Sequence, residues 1–549
     1  MGNSSELMAR AGSPQRRQES SRARSRPDKG CVGMSGHLGQ LVRFWGRRFP
    51  DRLAVRFRDH EVTWGQLDAD VDALAAGLSQ RGVGLGAVVG IMMSNRYEFI
   101  ETMLAVFRVG GTVALINTRL TPTELLYPVI DSGADLIVTE SSFIARFAAV
   151  LKHPDAPQLI SVDPAGGYIG LADLRRSGLL ATAASSDPGD PEDIALLAYT
   201  SGTTGVPKGA MLSHRAIVAN GLARSSADLL TWQDRVLCLM PLAFTGGAST
   251  FLREVVCTGA SAFVESTFDP ARVLDLLESE RITTCSAVPV MWERMLELPN
   301  FTSADLSALR AGIAGGATTP LEVIRKWQDR GVGLRQGYGQ TEFAGGFATV
   351  LYEDEAQARI GAVGRPIIGT RIRIVDEEDV DVPVGQAGEI LLRGPSMMTG
   401  YWNKPDDTAQ VLAGGWLHTG DVGMLDEDGY LRVIDRARDM LISGGFNVYP
   451  AELEKVLAGL PGLEELAVIG VPDMRWGEVP MLVVPNLEAI DVNELRSIII
   501  ERLADYRRPK WLVAHGADLP RTMSGKVLKR ELRTAYPAVP HDAIALKVS

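Results

Sequence analysis

The stretch from Ile194 to His214 constrains this chain more than any other. An apolar run, Ile194 to Ala198, leads into Tyr-Thr-Ser-Gly-Thr-Thr-Gly-Val-Pro-Lys-Gly, and a second run, Ala210 to Leu212, follows it. Thr200, Ser201, Thr203 and Thr204 are interleaved with Gly202, Gly205 and Gly209 and lead to Lys208. Glycines let backbone N–H groups converge on an anion with no Cβ in the way, hydroxyls add donors, and the lysine brings a mobile charge. This predicts a phosphate-handling loop between two strands, with a helix starting after Ser213, a residue type suited to an N-cap. It is not a Walker A loop, because no Ser or Thr follows Lys208 and Val206-Pro207 stands where that loop turns into a helix. A Gly/Ser/Thr-rich linker is the bland alternative; the flanking strands and the Pro-Lys-Gly ending argue against it.

At 549 residues the chain is too long for one ordinary core, so at least two domains are expected. Its 46% hydrophobic and 22% charged residues describe a globular protein. A net charge of −11 gives no support to a nucleic-acid partner or an anionic membrane surface, so the phosphate loop reads as a local anion site. Cys31, Cys238, Cys257 and Cys285 are scattered without metal or disulfide spacing, which fits a reducing, cytoplasmic setting. The apolar run from Thr102 to Ile116 is broken by Arg108 and a Gly pair, so no membrane span is expected. Residues 1–33, basic and rich in Ser, Gly and Pro, are expected to be a disordered leader.

From His37 the pattern alternates. Leu38 to Phe49 has helical spacing, Leu53 to Arg58 and Glu61 to Trp64 form a hairpin, and Leu67 to Arg81 is an amphipathic helix closed by Gly82. Val88 to Met92 reads as a buried strand and Tyr97 to Val109 as a helix. Further on, Leu237 to Pro241 reads as a strand and Phe244-Thr-Gly-Gly247 as a loop, and Asp426-Glu-Asp-Gly429 as a hairpin turn. Strands alternating with helices argue a layered α/β fold. A compact αβ module restarts near Arg438, giving an N-terminal domain over 34–437 and a small C-terminal domain over 438–549.

Four further strings carry chemistry. Gln336-Gly-Tyr-Gly-Gln-Thr-Glu342 places an aromatic face, a hydroxyl and a carboxylate on what reads as one short loop; a purine needs the first and a phosphate-bound metal the last. Alone it reads as a polar turn, because such short strings arise by chance; beside a phosphate loop the nucleotide reading prevails. Gly312-Ile-Ala-Gly-Gly-Ala317 reads as a strand end with a Gly turn. Trp416-Leu-His-Thr-Gly-Asp421 ends in a carboxylate suited to two vicinal hydroxyls, or in an ordinary turn Asp. Pro520-Arg-Thr-Met-Ser-Gly-Lys526 offers an ammonium, and Lys529 beside it reads as a surface lysine.

Together these strings, in this order over Gly36 to Leu532, resemble the adenylate-forming superfamily of acyl-CoA synthetases, nonribosomal adenylation domains and beetle luciferases. The resemblance implies a large N-terminal domain of layered αβ subdomains plus a small, mobile αβ C-terminal domain. It implies that Thr200, Ser201, Gly202, Thr203, Thr204, Gly205 and Lys208 cradle the phosphates of ATP, and that Tyr338 stacks on adenine beside Gly315, Gly316 and Ala317. Thr341 then meets the α-phosphate, Glu342 binds Mg²⁺, and Asp421 takes the ribose. Arg436 contacts ribose or phosphate, Arg438 occupies the hinge where the family usually has Asp or Lys, and Lys526 serves adenylation. Ser443, Gly444 and Gly445 form the face that meets coenzyme A.

Pro241-Leu-Ala-Phe-Thr-Gly-Gly247 resembles the family's acyl-pocket segment but lacks its histidine, and Thr245 stands where amino-acid-activating members carry Asp. With Phe244 and Thr245 beside it and Gly246, Gly247, Gly315, Gly316 and Gly337 around it, the pocket is expected to be roomy and apolar, for a bulky cyclic or aromatic monocarboxylate. The alternatives are an enzyme that passes its acyl-adenylate to a carrier protein or separate thiolating partner, and a medium- or long-chain fatty acid ligase.

Overall fold

A computed structural model describes residues 36–180, 189–200, 207–316, 319–436, 439–443, 446–474, 476–503, 507–521 and 526–546. The expected leader lies outside the described residues. The α/β reading holds, with the described strands arranged in four sheets.

One mostly parallel sheet carries the strand Val88–Met92 at its centre, flanked by Thr112–Leu115 and Leu136–Thr139. Every residue of Val88–Met92 is buried, as a strand covered by helices on both faces requires. Ile194–Thr200 adds in parallel beside Thr112–Leu115, and Lys208–Ser213 turns back antiparallel to it, pairing Thr200 with Lys208. The two expected strands are present, and residues 201–206 between them lie outside the described residues. The following helix, His214–Asp228, starts where Ser213 accepts from the backbone N–H of Ala216, as expected.

A second sheet contains Arg235–Cys238, Ser261–Val264, Thr284–Ala287, Ala311–Ala314 and Leu334–Tyr338 in parallel, with antiparallel strands at its edges. Between the two sheets pack the helices Trp64–Ser79 and Tyr97–Arg108, the first held by a reciprocal cap in which Thr63 and Gln66 bond each other's backbone. A smaller antiparallel sheet runs Arg371–Val375, Gly388–Arg393, Leu417–Leu425, Leu431–Arg436. Its last two strands are joined by the Asp-Gly hairpin the sequence predicts. The remaining sheet, built on Gly477–Val484, has its own core around Leu453, Val468, Leu482 and Leu512.

Three local readings change. Phe244-Thr-Gly-Gly247 is not a loop: Phe244 caps a helix over Thr245–Phe251, because Phe251 and Ala248 bury against the core and no proline interrupts it. That helix runs on as a π-turn over Leu252–Val256. Gln336 to Tyr338 lie in a strand rather than in the loop that follows. Asp421 lies inside the strand Leu417–Leu425 rather than in a turn.

Candidate functional site

Tyr338 ends a buried strand, and the chain then loops out and back to pair Tyr338 with Thr349. The loop closes tightly: a Cβ on Gly339 would lie 1.8 Å from the Gly346 carbonyl, so only glycine fits there. Its geometry fixes Thr341 and Glu342 at the open end of the sheet. The Tyr338 hydroxyl donates to Asp421 Oδ2 at 2.8 Å. Asp421 in turn lies opposite Arg436 in the neighbouring strand, where only the Arg436 backbone is described. Tyr338, Asp421 and Arg436, scattered over about a hundred residues of sequence, therefore share one corner.

On the phosphate side, Ser201 to Gly205 lie outside the described residues, but both ends of their loop are fixed. Thr200 Oγ1 donates to the Lys208 carbonyl at 3.4 Å, and the Lys208 ammonium is ion-paired with Asp407. The segment Met398 to Trp402 straps this region: Met398 N–H donates to the Glu342 carbonyl at 2.8 Å, and Trp402 N–H to the Gly209 carbonyl at 2.7 Å. Tyr401 on that strap donates its hydroxyl to Glu342 Oε1 at 2.7 Å, and its ring centre lies 5.4 Å from Lys208 Nζ. The strap thus holds the candidate metal ligand and the candidate phosphate lysine from one side. Glu342 is a hard, anionic oxygen donor beside the Thr341 hydroxyl, a donor set that fits Mg²⁺.

The residues expected to line the acid pocket adjoin Thr341. Thr341 Oγ1 donates to Thr245 Oγ1 at 3.4 Å, bringing the loop after Tyr338 against the helix that Phe244 caps. The glycines do not all open a pocket, and the roomy reading needs correction. Among the described residues, no atom lies within 4 Å of the Cβ position of Gly246. At Gly337 the corresponding position lies 2.4 Å from Phe347, and at Gly315 it lies 3.1 Å away, so the Phe347 ring fills that room. Gly247 presses on the backbone, its Cβ position 2.2 Å from the Pro241 carbonyl oxygen. Gly316, in the left-handed region at φ +81°, has only Val288 within reach.

Behind Phe347 stand two buried guanidiniums, Arg224 at 5.2 Å and Arg253 at 5.6 Å from the ring centre. Arg224 is ion-paired with Asp228, and burial pushes its pKa down to about 9. Arg253, carried inward on the π-turn, donates to the Ser249 carbonyl and to Asn220 Oδ1. The ring that fills the room beside Gly315 and Gly337 is therefore backed by two cations.

In the C-terminal region, Ser443 ends a short strand with its hydroxyl buried, while Gly444 and Gly445 lie outside the described residues. Ala317 and the expected hinge residue Arg438 also lie outside them. Just before Arg438, Asp435 accepts from the Ala451 N–H at 2.8 Å. Lys526 is exposed, on the chain leading into the helix Lys529–Ala535. Lys529 is not the surface lysine its sequence context suggests: it is largely buried and paired with Glu454 at 2.9 Å. That carboxyl also accepts from Val468 N–H, and burial pushes its pKa up.

Tyr401, Asp407 and Phe347 are absent from the sequence reading. The signal for the first two was available: Gly400-Tyr-Trp-Asn-Lys-Pro-Asp-Asp407 runs from a short strand into a proline-started, acid-led helix. Nothing in local pattern marks Phe347, which acts through contacts with glycines distant in sequence.

Comparison with known proteins agrees with this layout. The family model of the AMP-binding enzymes matches residues 42–402, and that of the AMP-binding enzyme C-terminal domain matches residues 452–526. A feruloyl-CoA synthase of Amycolatopsis is 38% identical over 89% of this chain and 97% of its own. An indoleacetate–CoA ligase of Aromatoleum aromaticum is 37% identical over 88% of this chain and 95% of its own. The o-succinylbenzoate CoA synthetase of Bacillus subtilis, solved with its acyl-adenylate intermediate, superposes with a TM-score of 0.79 at 29% identity, covering 90% of this chain and 97% of that one. This chain belongs to the AMP-binding enzymes, the adenylate-forming family of acyl-CoA synthetases and ligases.

Proposed function

We propose that the chain is an ATP-dependent acid:CoA ligase acting on aromatic or other cyclic monocarboxylates. The observation that carries this is the convergence at one loop: Tyr338 is bonded to Asp421, Glu342 is held by Tyr401, and Thr341 touches Thr245. A nucleoside corner, a metal ligand and an acid pocket thereby meet at the place where a carboxylate and an α-phosphate must react.

In the first step a carboxylate oxygen bonds to the α-phosphorus of ATP while the bond to the β-phosphate oxygen breaks, giving acyl-adenylate and pyrophosphate. No side-chain nucleophile is needed; positioning and charge stabilisation suffice. Tyr338, with Gly315 and Gly316, faces the adenine, and Asp421 accepts from the ribose hydroxyls. Lys208 and the residues from Thr200 to Gly205 hold the outgoing phosphates. Glu342 holds Mg²⁺, which when bound offsets phosphate charge. Thr341 donates to the α-phosphate, and Lys526 offsets charge on the reacting oxygens. In the second step a coenzyme A thiol, entering along Ser443 to Gly445, forms the thioester and releases AMP. Arg438 and its neighbours supply the hinge between the two steps.

The aromatic preference rests on the open space at Gly246, on the Phe347 ring as pocket wall, and on the feruloyl and indoleacetate relatives. A pocket stopped by a ring suits a flat acid better than a long flexible chain. Thr245 argues against an amino acid. A cytoplasmic setting, and CoA rather than a carrier protein as acceptor, complete the reading; among the described residues no helix is long and apolar enough to cross a membrane. Acid-dependent exchange of labelled pyrophosphate into ATP tests the first step: exchange with aromatic acids supports it, and exchange with amino acids alone overturns it.

A further inference from the structure

We infer that Asp407 and Tyr401 are positioning residues of the adenylation step: Asp407 occupies the phosphate lysine until a nucleotide displaces it, and Tyr401 orients the metal-binding carboxylate. This rests on the reading of Lys208 and Glu342 as parts of an ATP site.

Lys208 is largely buried, and an ammonium left without a counter-charge in such surroundings is costly. The only anion paired with it among the described residues is the Asp407 carboxylate, which stands in for a phosphate oxygen. When triphosphate arrives, Lys208 exchanges one anionic oxygen for another. The Tyr401 ring, 5.4 Å from Nζ, gives the ammonium a second attractive surface during the exchange. Asp407 is thus a built-in competitor. It lowers affinity for ATP, and by the same logic for pyrophosphate, so it assists release of the leaving group after adenylation.

Tyr401 also sets Glu342. Its hydroxyl engages Oε1 at 2.7 Å, and Oε2 makes no hydrogen bond among the described residues. One oxygen is tethered and the other is presented. The hydrogen bond costs nothing when the metal arrives, because it points the carboxylate without neutralising it.

The backbone fixes both the strap that carries Tyr401 and the helix Pro405–Val411 that carries Asp407. Tyr401 N–H donates to Thr408 Oγ1 at 2.8 Å, and Tyr401 pairs with Ala210 across the strand that begins at Lys208. The distances to Lys208 and Glu342 therefore belong to the fold rather than to a wandering side chain.

The test measures nucleotide binding by calorimetry on the full chain, without acid, alongside kinetics. Asp407→Asn is expected to tighten ATP and pyrophosphate binding roughly three- to tenfold, the range for a partly exposed ion pair, and to strengthen product inhibition by pyrophosphate. Asp406→Asn removes the same charge from the same helix turn without touching Lys208, and is expected to change neither. Tyr401→Phe is expected to raise the Mg²⁺ concentration for half-maximal adenylation by roughly three- to tenfold, as loss of one hydrogen bond to a charged group implies, with metal-free ATP binding unchanged. Asp407→Asn with wild-type or weaker ATP affinity, equal effects at 406 and 407, or an unaltered Mg²⁺ requirement in Tyr401→Phe would overturn the inference alone. A wild type that binds no ATP would overturn the site reading with it.

Discussion

The Tyr338 hydroxyl and the Asp421 carboxylate are 2.8 Å apart, and both side chains are buried. The bond locks an aromatic face to an acceptor across two different sheets. Tyr338→Phe keeps the face and loses about 1 kcal/mol of stability, with KM for ATP changed only slightly. Asp421→Ala removes the acceptor for two hydroxyls and is expected to raise KM for ATP by roughly tenfold or more, since bonds to a charged group are worth about 1.5–3 kcal/mol. Urea unfolding and ATP kinetics on the two variants separate the effects. Equal KM changes would contradict a ribose role for Asp421.

Gly246 and Gly247 are neighbours with opposite surroundings. Gly246→Leu places a side chain in open space and is expected to spare stability while changing selectivity between small and bulky acids about ten- to hundredfold. Gly247→Ala forces a methyl group to 2.2 Å from the Pro241 carbonyl oxygen and is expected to cost about 1–3 kcal/mol without a selectivity change. Melting curves and kcat/KM for benzoate, a polycyclic acid and octanoate check both. Lost stability in Gly246→Leu would close the space assigned to the acid.

Lys526→Ala is expected to abolish adenylation and to leave thioesterification of supplied acyl-adenylate largely intact. The Ser-Gly-Lys526 string and the separate position of Ser443 motivate this. Single-turnover assays of the two half-reactions measure it, and equal loss of both would contradict it.

Much of this site was legible in the sequence because its parts are local strings. The strands on either side of residues 201–206, the Tyr338 to Glu342 run and the Ser213 cap each depend on residues a few positions apart, and pattern and cap chemistry read them directly. Phe347 was not legible, because its role comes from the missing Cβ atoms of Gly315 and Gly337 on other strands. Glycine in sequence signals space; whether a neighbour has taken the space is tertiary. Lys529 failed for the same reason, since Glu454 lies 75 positions away. The helix at Thr245 was misread because two adjacent glycines weigh against a helix locally, while the burial of Phe251 and Ala248 outweighs them.

The His37 and His214 rings lie 3.6 Å apart, centre to centre, tilted by 30° and fully buried. Burial, then the neighbouring His37, pushes the His214 pKa well below its ordinary 6.5. The folded state therefore binds fewer protons than the unfolded one. The stability this gives is full above about pH 6.5 and falls by up to about 1.4 kcal/mol per unit as the pH drops below it. Melting temperatures at pH 7.5 and 5.0 are expected to drop more for the wild type than for His214→Leu. An equal drop would show that the pair does not titrate with unfolding.

The central claim is that one loop brings acid, α-phosphate and metal together for adenylation, with a thiol as final acceptor. Mass spectrometry of the products formed from ATP and a panel of acids, with and without coenzyme A, tests it most directly. The account predicts AMP, pyrophosphate and an aryl-CoA thioester when all three substrates are present, and enzyme-bound acyl-adenylate when coenzyme A is left out. ADP and inorganic phosphate as products, or acyl-adenylate that coenzyme A never converts to a thioester, would contradict it.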